Sequence, residues 1–193
     1  MRSLSSILRA CAKGRFAVCG SFAAALALTP TGAAAQSESA SFDARAALIE
    51  PLTITKLADL DFGDIIGSSG GTIVLTPDAL ATCTASAGLV QTNQCQPAVF
   101  GGSASFNQRV RIRRPVGNTI TLTGPGDDMT VTDITINGSP SLRRVRSNPN
   151  WERFRIDTLD GTFIFRVGGT LNVNPNQGPG LYTGTFEIRI DYQ

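Results

Sequence analysis

The chain has 193 residues, with 17 Lys and Arg against 15 Asp and Glu and no histidine. A formal net charge of +2 gives no global attraction to nucleic acid or to a membrane surface. The lack of histidine removes imidazole-based triads, histidine general acids and ordinary zinc hydrolase sites, while 20 glycines and 10 prolines leave little room for long helices.

The first segment reads as a secretory leader. Arg2, Arg9, Lys13 and Arg15 precede an apolar run over 16–28, and Ala33-Ala34-Ala35 supplies the small residues of a cleavage site. The expectation is a signal peptide over 1–35, cut after Ala35, and the apolar run is too short for a membrane span. Cys11 and Cys19 precede the core of the leader, so neither is placed as a lipid-modified cysteine. Beyond the cut, 13 Lys and Arg face 15 Asp and Glu, a net charge of −2. Residues 36–193 suffice for one domain with a real core.

Directly after the leader, Ala40, Phe42, Ala44, Ala46 and Leu48 alternate with Ser41, Asp43, Arg45 and Ala47. Residues 36–50 therefore form either an N-terminal extension or the first strand of the domain's own sheet. Short β-branched and aromatic runs follow, at 52–57, 72–76, 104–112, 119–123, 129–136, 154–158, 162–167, 170–173 and 182–192. One short helix is predicted near 77–81, where Pro77 could open a turn. Turn signals lie at Gly70-Gly71, Gly101-Gly102, Gly124-Pro125-Gly126, Asn137-Gly138, Asp160-Gly161 and Gly168-Gly169, and Asp160-Gly161 is the cleanest hairpin among them. None opens a helix with a lysine, as a phosphate cradle requires. The fold predicted over 51–193 is all-β and antiparallel, a sandwich or a closed barrel. A membrane barrel fits less well, since the segments vary in length and the aromatics form no paired girdles.

Of the four cysteines, Cys83 and Cys95 lie beyond the leader, and in an oxidising compartment they read as one disulfide. Closing so short a loop contributes on the order of 2–3 kcal/mol. A metal site is the weaker reading, because two sulfurs without histidine make a poor ligand set. Asp59, Asp61 and Asp64 cluster, and Asp127 and Asp128 are adjacent, but neither spacing is a calcium loop, so these carboxylates read as solvated or turn positions. No catalytic residue, metal or cofactor is expected, and an enzyme is not.

Arg109, Arg111 and Arg113 alternate with Val110 and Ile112, and Arg114 extends the run. Arg143, Arg144, Arg146, Arg153 and Arg155 surround Trp151 and Phe154. One reading is a solvated strand face with Trp151 packed under a loop. The other is a ligand surface formed by Arg109, Arg111, Arg113 and Trp151 that holds an acidic polysaccharide or lipopolysaccharide through charge and ring stacking. At the far end, Gly180 to Gln193 alternates almost without fault, with Tyr182, Phe186, Ile188, Ile190 and Tyr192 on one face, and leaves a sheet edge to be covered or paired.

Several blocks carry a family resemblance: Pro51-Leu52-Thr53-Ile54-Thr55-Lys56, Ala58-Asp59-Leu60-Asp61-Phe62-Gly63-Asp64-Ile65-Ile66, Gly70-Gly71-Thr72, Val167-Gly168-Gly169-Thr170-Leu171, and the stretch from Gly178 to Phe186. Together they resemble the secreted bacterial family catalogued as domain of unknown function 4402. The insert from Cys83 to Cys95 and the arginine-rich stretch from Arg143 to Arg155 depart from that family's compact middle. More distantly, Leu60-Asp61-Phe62-Gly63 and the closing strand are similar to pilin subunits of the chaperone and usher pathway, including the spore-coat-U-like group, with Gly180 and Tyr192 at the places of the pilin closing glycine and penultimate tyrosine.

The pilin resemblance implies an Ig-like sandwich lacking its last strand, a gap filled first by a chaperone and then by the N-terminal extension of the next subunit. On that implication Ala40, Phe42, Ala44, Ala46 and Leu48 form a donor strand. Gly180, Tyr182, Phe186, Ile188, Ile190 and Tyr192 form the edge presented to the chaperone or neighbour. The expected partners are like subunits, a periplasmic chaperone and usher, and a polysaccharide, with no nucleic acid and no transmembrane segment in the mature chain. The expected function is that of a secreted structural or adhesive cell-surface subunit in the periplasm, at the surface or outside the cell. The alternative is a monomeric envelope-associated or carbohydrate-binding module.

Overall fold

A computed structural model describes residues 38–86 and 88–193, so the leader expected over 1–35 lies outside the described residues. Residues 38–54 contain no strand, and Ala46–Gln193 forms one compact unit. The period-two runs become thirteen strands among the described residues: β1 Thr55–Ala58, β2 Asp64–Ile66, β3 Gly71–Leu75, β4 Cys83–Ala85, β5 Val90–Thr92, β6 Ala98–Ser103, β7 Arg109–Arg113, β8 Ile120–Leu122, β9 Met129–Asn137, β10 Leu142–Asn148, β11 Trp151–Ile156, β12 Thr162–Val173 and β13 Arg189–Tyr192. All pairings are antiparallel, as the sequence predicts.

The large sheet runs β1-β6-β12-β3-β4, with β9 on the other side of β12 and β8 beyond it. The small sheet runs β10-β11-β7-β13, and β2 with β5 makes a separate pair. Ile73, Leu75, Val131, Phe163, Phe165, Val167 and Leu171 from the large sheet are buried together with Val110, Ile112, Leu142, Phe154 and Ile156 from the small one. In β3, β7 and β11 every second residue thus lies in the interlayer, as the two-residue period requires. Ser141, at the entry to β10, is buried but satisfied: its hydroxyl donates to Ile164 O at 3.0 Å and accepts from Ile164 N–H at 2.8 Å, tying β10 to β12.

Several expectations are corrected. The runs at 162–167 and 170–173 are one strand, β12, with Gly168-Gly169 inside it rather than in a turn. A Cβ on Gly168 would stand 2.3 Å from Leu75 O, so glycine here serves the close approach of β3 to a strand paired on both sides. Gly101-Gly102 likewise lies within β6. Residues 77–81 form a bend and no helix. The run at 104–112 is divided, since only its second half enters the small sheet as β7, where Val110 and Ile112 reach the core. Asp64, read as a turn residue, begins β2. The Asp160-Gly161 turn is present, but it is not the predicted hairpin: it carries the chain from β11 in the small sheet to β12 in the large one, and the two strands do not pair.

The closing run at 182–192 is strand only over β13. Thr183 is bridged to Thr123 beside the large sheet, whereas Arg189 to Tyr192 pair with β7 in the small one. The chain changes sheets between them, and 184–188 takes part in no ladder. Gly184 permits the departure: a Cβ there would lie 2.1 Å from Thr121 O.

Candidate functional site

Two sheet edges meet along one flank of the sandwich. β1 ends the large sheet and β13 ends the small one, each hydrogen-bonded on one side only. The end of β13 is tied to the segments that precede β1 and follow β6 by Tyr192, whose hydroxyl donates to Glu50 O at 2.7 Å and accepts from Ser105 N–H at 3.1 Å. Phe186 packs edge-on against Phe100 of β6, with ring centroids 6.4 Å apart. Between β1 and β6 on one side and 184–186, ahead of β13, on the other lies a cleft of about 150 Å³ lined by Lys56, Ala58, Ala98, Phe100, Thr185 and Phe186.

Phe100, Phe186, Ile188, Ile190 and Tyr192 pack on the core but remain half-buried, unlike the fully enclosed residues between the inner strands. Among the described residues no backbone hydrogen bond joins β1 to β13 or to 184–188. The flank therefore offers two rows of main-chain donors and acceptors with an apolar floor between them, the chemistry an added strand requires.

Phe186, Ile188, Ile190 and Tyr192, four residues of the sequence-predicted edge, are brought together here. Gly180 and Tyr182 are placed apart from them. Gly180 packs on Pro125, and the Tyr182 hydroxyl accepts from Gly126 N–H at 2.9 Å and donates to Gly178 O at 2.7 Å, so this pair anchors the loop before the crossing. Ala40, Phe42, Ala44, Ala46 and Leu48 belong to no strand, and all are exposed, Phe42 at 89% and Leu48 at 103%. Cys83 and Cys95 form the disulfide, with Cα atoms 6.3 Å apart, linking β4 to the segment before β6.

Arg109, Arg111 and Arg113 project from the outer face of β7, and Trp151 lies beside Arg113 in the cross-strand register. Asp191 of β13 compensates part of this charge, 2.9 Å from Arg113 and 3.6 Å from Arg111. Among the described residues no group of three or more His, Cys, Asp or Glu is disposed to hold a metal, and no helix is long and apolar enough to cross a membrane.

One feature escaped sequence reasoning. Glu152, 2% exposed, faces the core from β11 between two arginines, with Oε1 2.5 Å from Arg114 Nη2 and Oε2 2.7 Å from Arg144 Nε. Arg114 also donates to Asn148 O and Pro149 O, and Arg144 to Ile136 O, so the triad holds the turn of the β10–β11 hairpin to the residue after β7 and ties β10 to β9. Burial pushes the Glu152 carboxyl above its ordinary value, with the charges of Arg144 and Arg114 pulling the other way. The signal was available: in β11 the inward positions Glu152, Phe154 and Ile156 alternate with Trp151, Arg153 and Arg155, which puts a carboxylate in the apolar row.

No curated protein and no solved structure matches the chain. The model of the family described as Domain of unknown function (DUF4402) matches residues 52–192, which takes in every strand from β1 to β13, and the chain belongs to that family.

Proposed function

We propose that this protein is an exported structural subunit of the cell surface that associates by strand complementation, residues 40–48 of one copy entering the flank between β1 and β13 of another. The observation that carries this reading is the fit between an unclosed flank and an unpaired alternating segment. Residues 40–48 and 184–192 are each nine positions long, and each spans roughly 30 Å at about 3.3 Å per residue. Phe42 and Leu48 supply exposed apolar side chains, and Phe100, Phe186, Ile188 and Ile190 supply the incompletely covered floor. A guest strand there would cover the floor and satisfy both edges, which otherwise invite uncontrolled pairing.

The Cys83–Cys95 disulfide supports an oxidising compartment. Before assembly the same flank needs protection, and a periplasmic chaperone lending an edge strand would supply it. Deleting residues 37–49 tests the reading. The shortened chain is expected to keep its far-ultraviolet circular dichroism and to sediment as a monomer under conditions where the intact mature chain assembles. Loss of the folded signal, or assembly equal to that of the intact chain, would show that the segment is not a donated strand.

A further inference from the structure

The outer face of the small sheet carries arginines in cross-strand rows. Arg143 of β10 stands opposite Arg155 of β11, which stands opposite Arg109 of β7. In the next row Arg146 faces Arg153, and Arg153 faces Arg111. The third row runs from Trp151 to Arg113 and on to Arg189 of β13. Like charges placed directly opposite one another in a sheet are destabilising, so a face built this way is held against its own repulsion.

The carboxylates around it are few. Asp191 serves Arg111 and Arg113, Asp157 lies 4.0 Å from Arg143, and Glu187 lies 2.8 Å from Arg189. Among the described residues Arg109, Arg146, Arg153 and Arg155 have no carboxylate within 4.0 Å. Eight arginines against three carboxylates leave this face with five excess positive charges. The rest of residues 36–193 holds five cations and twelve carboxylates, so charge is segregated to one side of a nearly neutral molecule.

At the edge of the grid Trp151 is half-buried, with the Arg153 and Arg146 guanidinium carbons 5.5 Å and 5.9 Å from its ring centroid. An aromatic plane beside unneutralised guanidiniums combines ring stacking with bidentate anion binding. We propose that the outer face of the β10-β11-β7-β13 sheet binds a linear polysaccharide bearing repeated carboxylate or phosphate groups, its charges seated on the arginine rows and one sugar ring on Trp151.

The geometry favours a glycan over other polyanions. Arginines lie about 5 Å apart across strands and about 7 Å apart along them. Duplex nucleic acid carries a charge every ~1.7 Å of axis, denser than this grid and repelled by the acidic remainder of the domain. A bilayer would need exposed apolar side chains to enter it, and the single aromatic of this face lies against two guanidiniums.

The test is direct binding of the purified protein to polygalacturonate, with neutral dextran, a single-stranded oligonucleotide and phosphatidylglycerol vesicles as the other arms. Polygalacturonate is expected to bind, more weakly as salt rises, and dextran is not. In the doubly substituted Arg109→Gln, Arg155→Gln protein the affinity should fall at least tenfold, while Arg166→Gln, on the other sheet, should change nothing. Trp151→Ala should weaken binding without altering its salt dependence. Because Arg109→Gln with Arg155→Gln relieves like-charge repulsion, its melting temperature should equal or exceed that of the parent. A lower melting temperature would assign these arginines to holding the sheet and overturn the proposal. So would unchanged affinity in the double variant, no binding of polygalacturonate at low salt, or tighter binding of the oligonucleotide or vesicles.

Discussion

Removing the carboxylate of Glu152 separates two effects that the buried triad combines. In Glu152→Ala, Arg114, with its side chain 8% exposed, loses its counter-charge inside the sandwich, and breaking one partner of a buried ion pair costs about 3–5 kcal/mol. Arg114 keeps its donations to Asn148 O and Pro149 O, and Arg144 is 53% exposed and returns to water, so the lower end of that range, about 3 kcal/mol, is expected. Glu152→Gln also removes the counter-charge but keeps an oxygen to accept from Arg114, and should cost less than Glu152→Ala by about one hydrogen bond, about 1 kcal/mol. The pH dependence follows from the raised carboxyl. A folded-state value above the unfolded one means that the native protein holds the proton more tightly, so the associated stabilisation is present below the ordinary glutamate value and is lost as pH rises through the folded one. Compared at two pH values, one below and one above the ordinary glutamate range, the parent should therefore lose stability relative to Glu152→Gln at the higher one. Urea unfolding at both pH values measures this; with a slope of about 1–3 kcal/mol/M, the alanine variant's midpoint falls by about 1 M or more. A Glu152→Ala protein within about 0.5 kcal/mol of the parent, or a Glu152→Gln protein as damaged as Glu152→Ala, would refute the reasoning.

Replacing Cys83 and Cys95 by serine should lower stability by about 2–3 kcal/mol, read as a lower melting temperature that the reduced parent reproduces, because the bridge closes a loop twelve residues apart in sequence. Gly184→Val should cost about 1–3 kcal/mol and expose the backbone amide of Thr183 to hydrogen exchange, since its Cβ would meet Thr121 O at 2.1 Å and push the chain off the Thr123 bridge.

The all-β class was legible because Ile73 with Leu75, Val110 with Ile112, and Phe163 with Phe165 repeat at the two-residue period of a strand buried on one face. What escaped were strands whose side chains do not alternate in polarity. β10 is rich in arginine, with Leu142 its one buried residue, and its existence depends on the ladder to β11, a non-local property. β4 and β5 are three residues each and owe their place to the pairings with β3 and β2. The opposite error arose at the closing segment, where unbroken alternation continues through 184–188 although the chain there crosses between sheets. Periodicity reports which side of a chain is apolar, and Phe186 and Ile188 do face the core, but it does not report whether a neighbouring strand is present. The same gap explains why 40–48 alternates and yet joins no strand. The arginines were visible singly; their alignment into rows depends on the β10-β11-β7 register and on the irregularity between Arg144 and Arg146.

Strand complementation is tested most directly by hydrogen–deuterium exchange on the chain lacking residues 37–49, with and without a peptide spanning residues 38–50. Binding of the peptide should slow exchange at the amides of 55–58 and 184–192 and raise the melting temperature, while the β10 and β4 edges exchange as before. Unchanged exchange along β1 and β13 at saturating peptide, or protection confined to another edge, would contradict it.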